Sequence, residues 1–197
     1  RDRSPSRGLG DVYKRQYILG SIPFGLIITK VFLKQDVRKI GSGNIGATNV
    51  LRAGNKKLAI LTLILDVLKG YIVVTFSLRY FNEYIYFSSL ICFLGHIYPM
   101  WLKFKGGKGV ATYLGIILGF SVNFGLVFCL SWIVILLFFK YSSLSSIVST
   151  LIVFIYSLSI GEAYLSCYLF IATLIVTFTH RENITRLKNK NENKIKL

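Results

Sequence analysis

Uncharged stretches about as long as a membrane crossing recur along the whole chain. A helix needs about 20 mostly apolar residues to span a bilayer. Residues 84–102, 141–161 and 163–179 contain no Lys, Arg, Asp or Glu. Residues 58–78 form a similar run, interrupted only by Asp66 and Lys69. Residues 109–139 stay uncharged for 31 positions, long for one helix and short for two. The first run, 16–29, has 14 residues and is too short to cross comfortably. The pattern predicts an all-α integral membrane protein.

Charge bias decides how to count the 31-residue run, because cytoplasmic loops collect Lys and Arg. Read as two short helices turning near Ser121–Asn123, it leaves 17 basic residues on one side and Arg79 alone on the other. Read as one helix, it splits them 10 against 8. The two-helix reading wins. It predicts seven transmembrane helices, amino terminus outside and carboxyl terminus cytoplasmic.

Composition agrees. Of 197 residues 53% are hydrophobic and 16% charged, and the net charge is +16. A soluble domain usually carries about 25% charge. A nucleic-acid binder could share the net charge but not the mean hydropathy of +0.58. Cys92, Cys129 and Cys167 lie far apart in apolar runs, without the spacing of a disulfide framework or a zinc site. Residues 1–16 are polar at the start and lack both an initiator Met and the layout of a signal peptide. They read as a foreign segment in place of the native start of the first helix, ahead of a membrane domain over 17–197.

Three polar clusters remain, all on the predicted inner side. In the first, GSGNIGATNVLR at 41–52, a GxGxxG pattern is formally present. It follows a lysine-rich loop and precedes a membrane helix, so it lacks the βαβ setting of a dinucleotide site. Glycines such as Gly41 and Gly43 still let backbone N–H groups crowd round a phosphate. Ser42, Asn44, Thr48 and Asn49 add short polar groups, and Arg52 adds a fork matching phosphate oxygens. A plain inter-helix turn is the alternative. The second cluster joins His96 to Lys105, Gly106, Gly107 and Lys108, either an anion cradle or a tight turn obeying the positive-inside rule. The third is His180 with Asn183, three apart and able to share a helix face. Asp66 and Lys69 also share a face, within a span, where charges are costly and usually paired. They read first as a structural ion pair and second as support for a site.

Absences narrow the chemistry. Neither histidine is followed five positions on by Asp, and no HExxH, carboxylate cluster or G-x-S-x-G elbow is present. No metal site is expected. What is left is a membrane-embedded site rich in anion-binding groups and poor in bases. It suits a reaction between phosphorylated substrates, one of them already activated and oily. A carrier for a phosphorylated metabolite is the rival, but carriers hold their binding groups near the midplane.

Five collinear segments sharpen this: GSIPFG at 20–25, GSGNIGATNVLR at 41–52, LDVLKG at 65–70, GHIYPMWLKFKGGKGVAT at 95–112 and HRENITRL at 180–187. Together they closely resemble the bacterial acyl-phosphate:glycerol-3-phosphate acyltransferase family, from about residue 17 onward. The resemblance implies a seven-span inner-membrane enzyme with its active site at the cytoplasmic side. It implies acyl transfer from acyl phosphate to the 1-hydroxyl of sn-glycerol 3-phosphate, giving lysophosphatidic acid and phosphate in the first acylation of phospholipid synthesis. It implies no cofactor, the bilayer and the two substrates as partners, and a soluble phosphate acyltransferase as supplier of acyl phosphate. By motif position, the family's site falls on Ser42, Arg52, Lys108, His180 and Asn183. Gly41, Gly43, Asn44, Thr48 and the turn from Lys105 to Gly107 surround it. Whether Ser42 is a nucleophile or a ligand stays open, with no His–Asp relay evident to activate it.

Overall fold

The computed structural model describes residues 5–195, and their side chains from Gly10. The expectation of a foreign start therefore lies partly outside the described residues. From Pro5 onward the chain is already helical. Among the described residues there are ten α-helices joined by loops and short 3₁₀ turns, and no strand. The helices are α1 (Pro5–Gly20), α2 (Phe24–Leu33), α3 (Ala47–Arg52), α4 (Lys56–Tyr80) and α5 (Ile85–Ile97). They continue with α6 (Val110–Phe120), α7 (Val122–Phe139), α8 (Ser142–Ile160), α9 (Ala163–Thr179) and α10 (Arg181–Lys188).

Four segments are long and apolar enough to cross a membrane: α4, Asn82–Leu102 around α5, α7 and α8. The count rises to six if two bent pairs each form one span. In one pair α1 meets α2 at 41°, and in the other α9 meets α10 at 60°. The 31-residue run does break, at Ser121, whose extended backbone and side chain cap α7 by accepting from the Asn123 amide at 3.3 Å. The first run falls across the bend between α1 and α2, and α1 extends upstream of it.

The chain divides into two compact units, one ending at Phe120 and one beginning at Ser121. In the first, α4 is the spine, packed against α6, α5, α3 and α2. Small residues let membrane helices approach closely. A Cβ at Gly70 would overlap the Thr112 carbonyl, and one at Gly115 would overlap that of Val67. The bend between α1 and α2 frees backbone carbonyls, which cannot stay unsatisfied in hydrocarbon. Trp101 Nε1 donates to Ser21 O at 2.7 Å, and Lys69 Nζ donates to Ile22 O at 3.1 Å. The lysine-rich loop after α2 has a small core of its own, with Val37, Ile45 and Val50 packed on Leu26 and Ala59. It is therefore a folded element rather than a slack turn. In the second unit, α8 packs against α7 and α9. Along α7 Phe124, Phe128 and Leu136 are buried while most other apolar side chains face outward, Phe138 being 80% exposed, as lipid-facing residues would be.

Candidate functional site

The first cluster is built round Asn49. Its side-chain amide is buried and donates from Nδ2 to the carbonyls of Val37, Ile40 and Asn44 at 2.8, 2.9 and 2.8 Å. Its Oδ1 accepts from the Ser42 amide at 2.9 Å and from Ser42 Oγ at 3.3 Å. Asn49 thus ties the loop together, and its polar atoms are engaged in doing so. The Asn44 side chain likewise accepts from the Gly46 amide at 3.1 Å. Gly41 and Gly43 take the left-handed backbone that favours glycine, with φ of 56° and 71°. The Arg52 stem lies over Gly41, 3.2 Å from where a Cβ would be. Among the described residues Arg52 makes no ion pair with a carboxylate, while Arg38 in the same loop is held by Asp36 at 2.6 Å. Burial opposes ionisation of Asp36, but its hydrogen bond with Arg38 dominates and holds the carboxyl far below its usual range. Thr48 is half-buried beside them.

The second cluster sits where α5 turns toward α6. Asp66 and Lys69 are paired at 2.7 Å, fully inside the protein. Lys69 Nζ also lies 2.8 Å from His96 Nδ1 and 5.6 Å from the Phe24 ring centre. Past His96, the Gly106 amide donates to Ile97 O at 2.9 Å and the Gly107 amide to His96 O at 3.0 Å. Lys105 is exposed and Lys108 half-buried.

These bonds correct one expectation. The amides of Ser42, Gly43, Gly46, Gly106 and Gly107 all donate within the protein. An anion held at these turns would rest on side chains rather than on those backbone donors.

The third cluster lies in the second unit, at the bend after α9. His180 is buried and its Nδ1 is 2.8 Å from Val176 O. A carbonyl only accepts, so Nδ1 carries the proton and Nε2 presents a lone pair in the neutral ring. Asn183 is buried and donates from Nδ2 to Glu192 Oε1 at 2.6 Å. Ser143 Oγ donates to the same oxygen at 2.9 Å, and Arg186 Nε donates to Oε2 at 2.8 Å. Burial works against the Glu192 charge, but the Arg186, Asn183 and Ser143 donors outweigh it and keep the carboxyl below its ordinary value. The tail bearing Glu192 is held by Ile195 N donating to Lys140 O at 2.8 Å.

Sequence reasoning singled out Asn183 but not the residues that meet it through one carboxylate, Ser143, Arg186 and Glu192. Glu192 stands in an Asn- and Lys-rich tail that reads as solvated, and Ser143 is one of four serines at 142–146. Neither carries a local signal. Among the described residues no group of three His, Cys, Asp or Glu side chains could hold a metal ion.

Residues 13–190 match the family model described as glycerol-3-phosphate acyltransferase. The glycerol-3-phosphate acyltransferase of Pelagibacter ubique is 55% identical over 181 residues, covering 92% of this chain and 94% of that protein. That of Brucella anthropi is 51% identical over 179 residues, covering 91% and 89%. Among solved structures, PlsY, an integral membrane glycerol 3-phosphate acyltransferase, is 38% identical. Its glycerol 3-phosphate form superposes with a TM-score of 0.90 over 94% of each chain. Its lysophosphatidic acid form gives 0.87 over the same share.

Proposed function

The chain belongs to the glycerol-3-phosphate acyltransferase family, and from that premise we propose that acyl phosphate is its donor and the 1-hydroxyl its acceptor. It is a multi-pass membrane acyltransferase acting on glycerol 3-phosphate. The observation that carries the donor assignment is the make-up of the clusters. They offer cations and hydroxyls for phosphate groups and, among the described residues, no acid–base relay that could activate a less reactive donor.

Acyl phosphate is a mixed anhydride whose carbonyl needs little activation. The obstacle is bringing two phosphate-bearing molecules together against their repulsion. Arg52, Lys105 and Lys108 offset that repulsion and orient the reactants, an effect that can reach several kcal/mol. The acceptor oxygen bonds to the acyl carbon, the bond from that carbon to the phosphate oxygen breaks, and the hydroxyl proton ends on the departing phosphate. Lys108 stabilises the charge that develops. His180 and Asn183 belong to the same set of family motifs, and their hydrogen bonds hold the bend after α9 in shape. Ser42 is a ligand in this scheme, because its hydroxyl donates to an amide oxygen, which is no base. Asn49 and Asn44 hold the loop in shape, with Gly41, Gly43 and Thr48 beside them.

Purified protein given palmitoyl phosphate and labelled glycerol 3-phosphate should form labelled lysophosphatidate, and a parallel palmitoyl-CoA reaction should not. Product from the CoA reaction alone would overturn the donor assignment. Product from neither would favour a metabolite carrier.

We place seven helices in the cytoplasmic membrane, counting α6 as a short crossing, with the carboxyl terminus and the active site inside. The basic loops before α4, before α6 and after α9 support this side. Asn55→Cys and Asn191→Cys should resist an impermeant thiol reagent in intact cells and react once the membrane is opened. Labelling of either in intact cells would reverse the orientation.

A further inference from the structure

The segment that follows α5 carries side chains suited neither to water nor to the protein interior. Met100, Trp101 and Phe104 are 55%, 49% and 61% exposed, and Lys103 stands exposed among them. Lys103 and Phe104 both take left-handed backbone, with φ of 51° and 61°. That region is strained for a bulky residue, and here it ends in an outward-facing phenylalanine.

Two neighbouring hydrogen bonds fix the depth of this turn. Trp101 Nε1 donates to Ser21 O at 2.7 Å, and Lys69 Nζ donates to the adjoining Ile22 O at 3.1 Å. The Trp101 indole thus lies about level with Lys69 on α4. From Lys69, α4 runs 13 residues back to Lys56, about 20 Å at the rise of an α-helix. The α2 helix runs beside that stretch, a Cβ at Gly25 falling 3.1 Å from Thr62 Cγ2. On this part of α4 Ile60, Leu63 and Ile64 face outward, as do Val31 and Phe32 on α2. Exposed aliphatic side chains so far along both helices mark hydrocarbon rather than water. The turn after α5 therefore stops short of the membrane surface that α2 and α4 reach.

We propose that this turn is seated within the lipid leaflet, at the boundary of acyl chains and headgroups, and that its partner there is anionic phospholipid. Met100, Trp101 and Phe104 lie among the upper acyl chains, the zone where amphipathic aromatics collect. The Trp101 N–H is already given to Ser21 O, so its ring can leave water without stranding a donor. Lys103 lays its stem along this apolar surface and places its ammonium among headgroup phosphates. A net charge of +16 favours anionic lipid over zwitterionic lipid. The lipid concerned is neither substrate nor product of the reaction proposed above.

Trp132 is the only other tryptophan, so Trp132→Phe protein in lipid nanodiscs reports Trp101 alone. Its emission should be blue-shifted, quenched by lipids brominated near the headgroup end of the acyl chain, and little affected by aqueous acrylamide. The difference spectrum between the parent and Trp101→Phe gives the same reading should Trp132→Phe fold poorly. One lysine at an anionic surface favours such lipid about fivefold. Brominated phosphatidylglycerol should accordingly quench several-fold better than brominated phosphatidylcholine at equal mole fraction, and Lys103→Gln should lose most of that preference. Water-like emission with strong acrylamide quenching would overturn the proposal and leave this face to a soluble protein. Equal quenching by the two brominated lipids would overturn the anionic partner.

Discussion

Arg52→Ala should lower kcat/KM for glycerol 3-phosphate acylation by more than 100-fold while leaving the protein folded. Arg52 ends the short α3, is half-buried, and is not part of the loop core of Val37, Ile45 and Val50, so its removal leaves that core intact. Its guanidinium has no carboxylate partner among the described residues, so a phosphate loses its counter-charge without any internal pair being broken. Arg52→Lys separates geometry from charge. Lysine keeps the charge but is a point donor, and the paired fork is lost. One charge-assisted hydrogen bond is worth about 1.5–3 kcal/mol, roughly 10- to 150-fold in kcat/KM. Lys56→Ala and Lys57→Ala, exposed at the start of α4, should leave turnover nearly intact. Equal losses from Arg52 and Lys57 substitutions would mean that the loop supplies only general positive charge.

The parts of this molecule legible in its sequence are those set by one-dimensional physics. Apolar run length gave α4, α8 and α9 nearly to their ends, because a membrane span is a statement about consecutive residues. Charge bias identified the break that Ser121 makes between α6 and α7. The i, i+3 spacing of Asp66 and Lys69 anticipated their contact. What was hidden depends on distant residues meeting. Nothing near Asn49 shows that it would fold back on Val37 and Ile40, so it reads as a phosphate ligand. The glycine turns suggested free amides, but whether an amide is free depends on carbonyls elsewhere, such as His96 O. Glu192 escaped for the same reason, since its three donors come from α8 and α10.

Lys69→Met should destabilise the first unit strongly, and it separates a buried network from a dispensable pair. The substitution keeps the length of the stem but removes the ammonium, leaving Asp66 almost fully buried with no cation beside it. Breaking a buried pair from one side costs about 3–5 kcal/mol, because an uncompensated charge remains. Here Ile22 O and His96 Nδ1 also lose their donor, which adds to the loss within a span. Asp66→Asn/Lys69→Met removes the stranded charge and should restore a good part of the stability. Unfolding in detergent, measured on the single and double variants, reads the effect. A loss of under about 1 kcal/mol from Lys69→Met would fall within the range of an exposed pair. It would show that the ion pair does not hold these helices together.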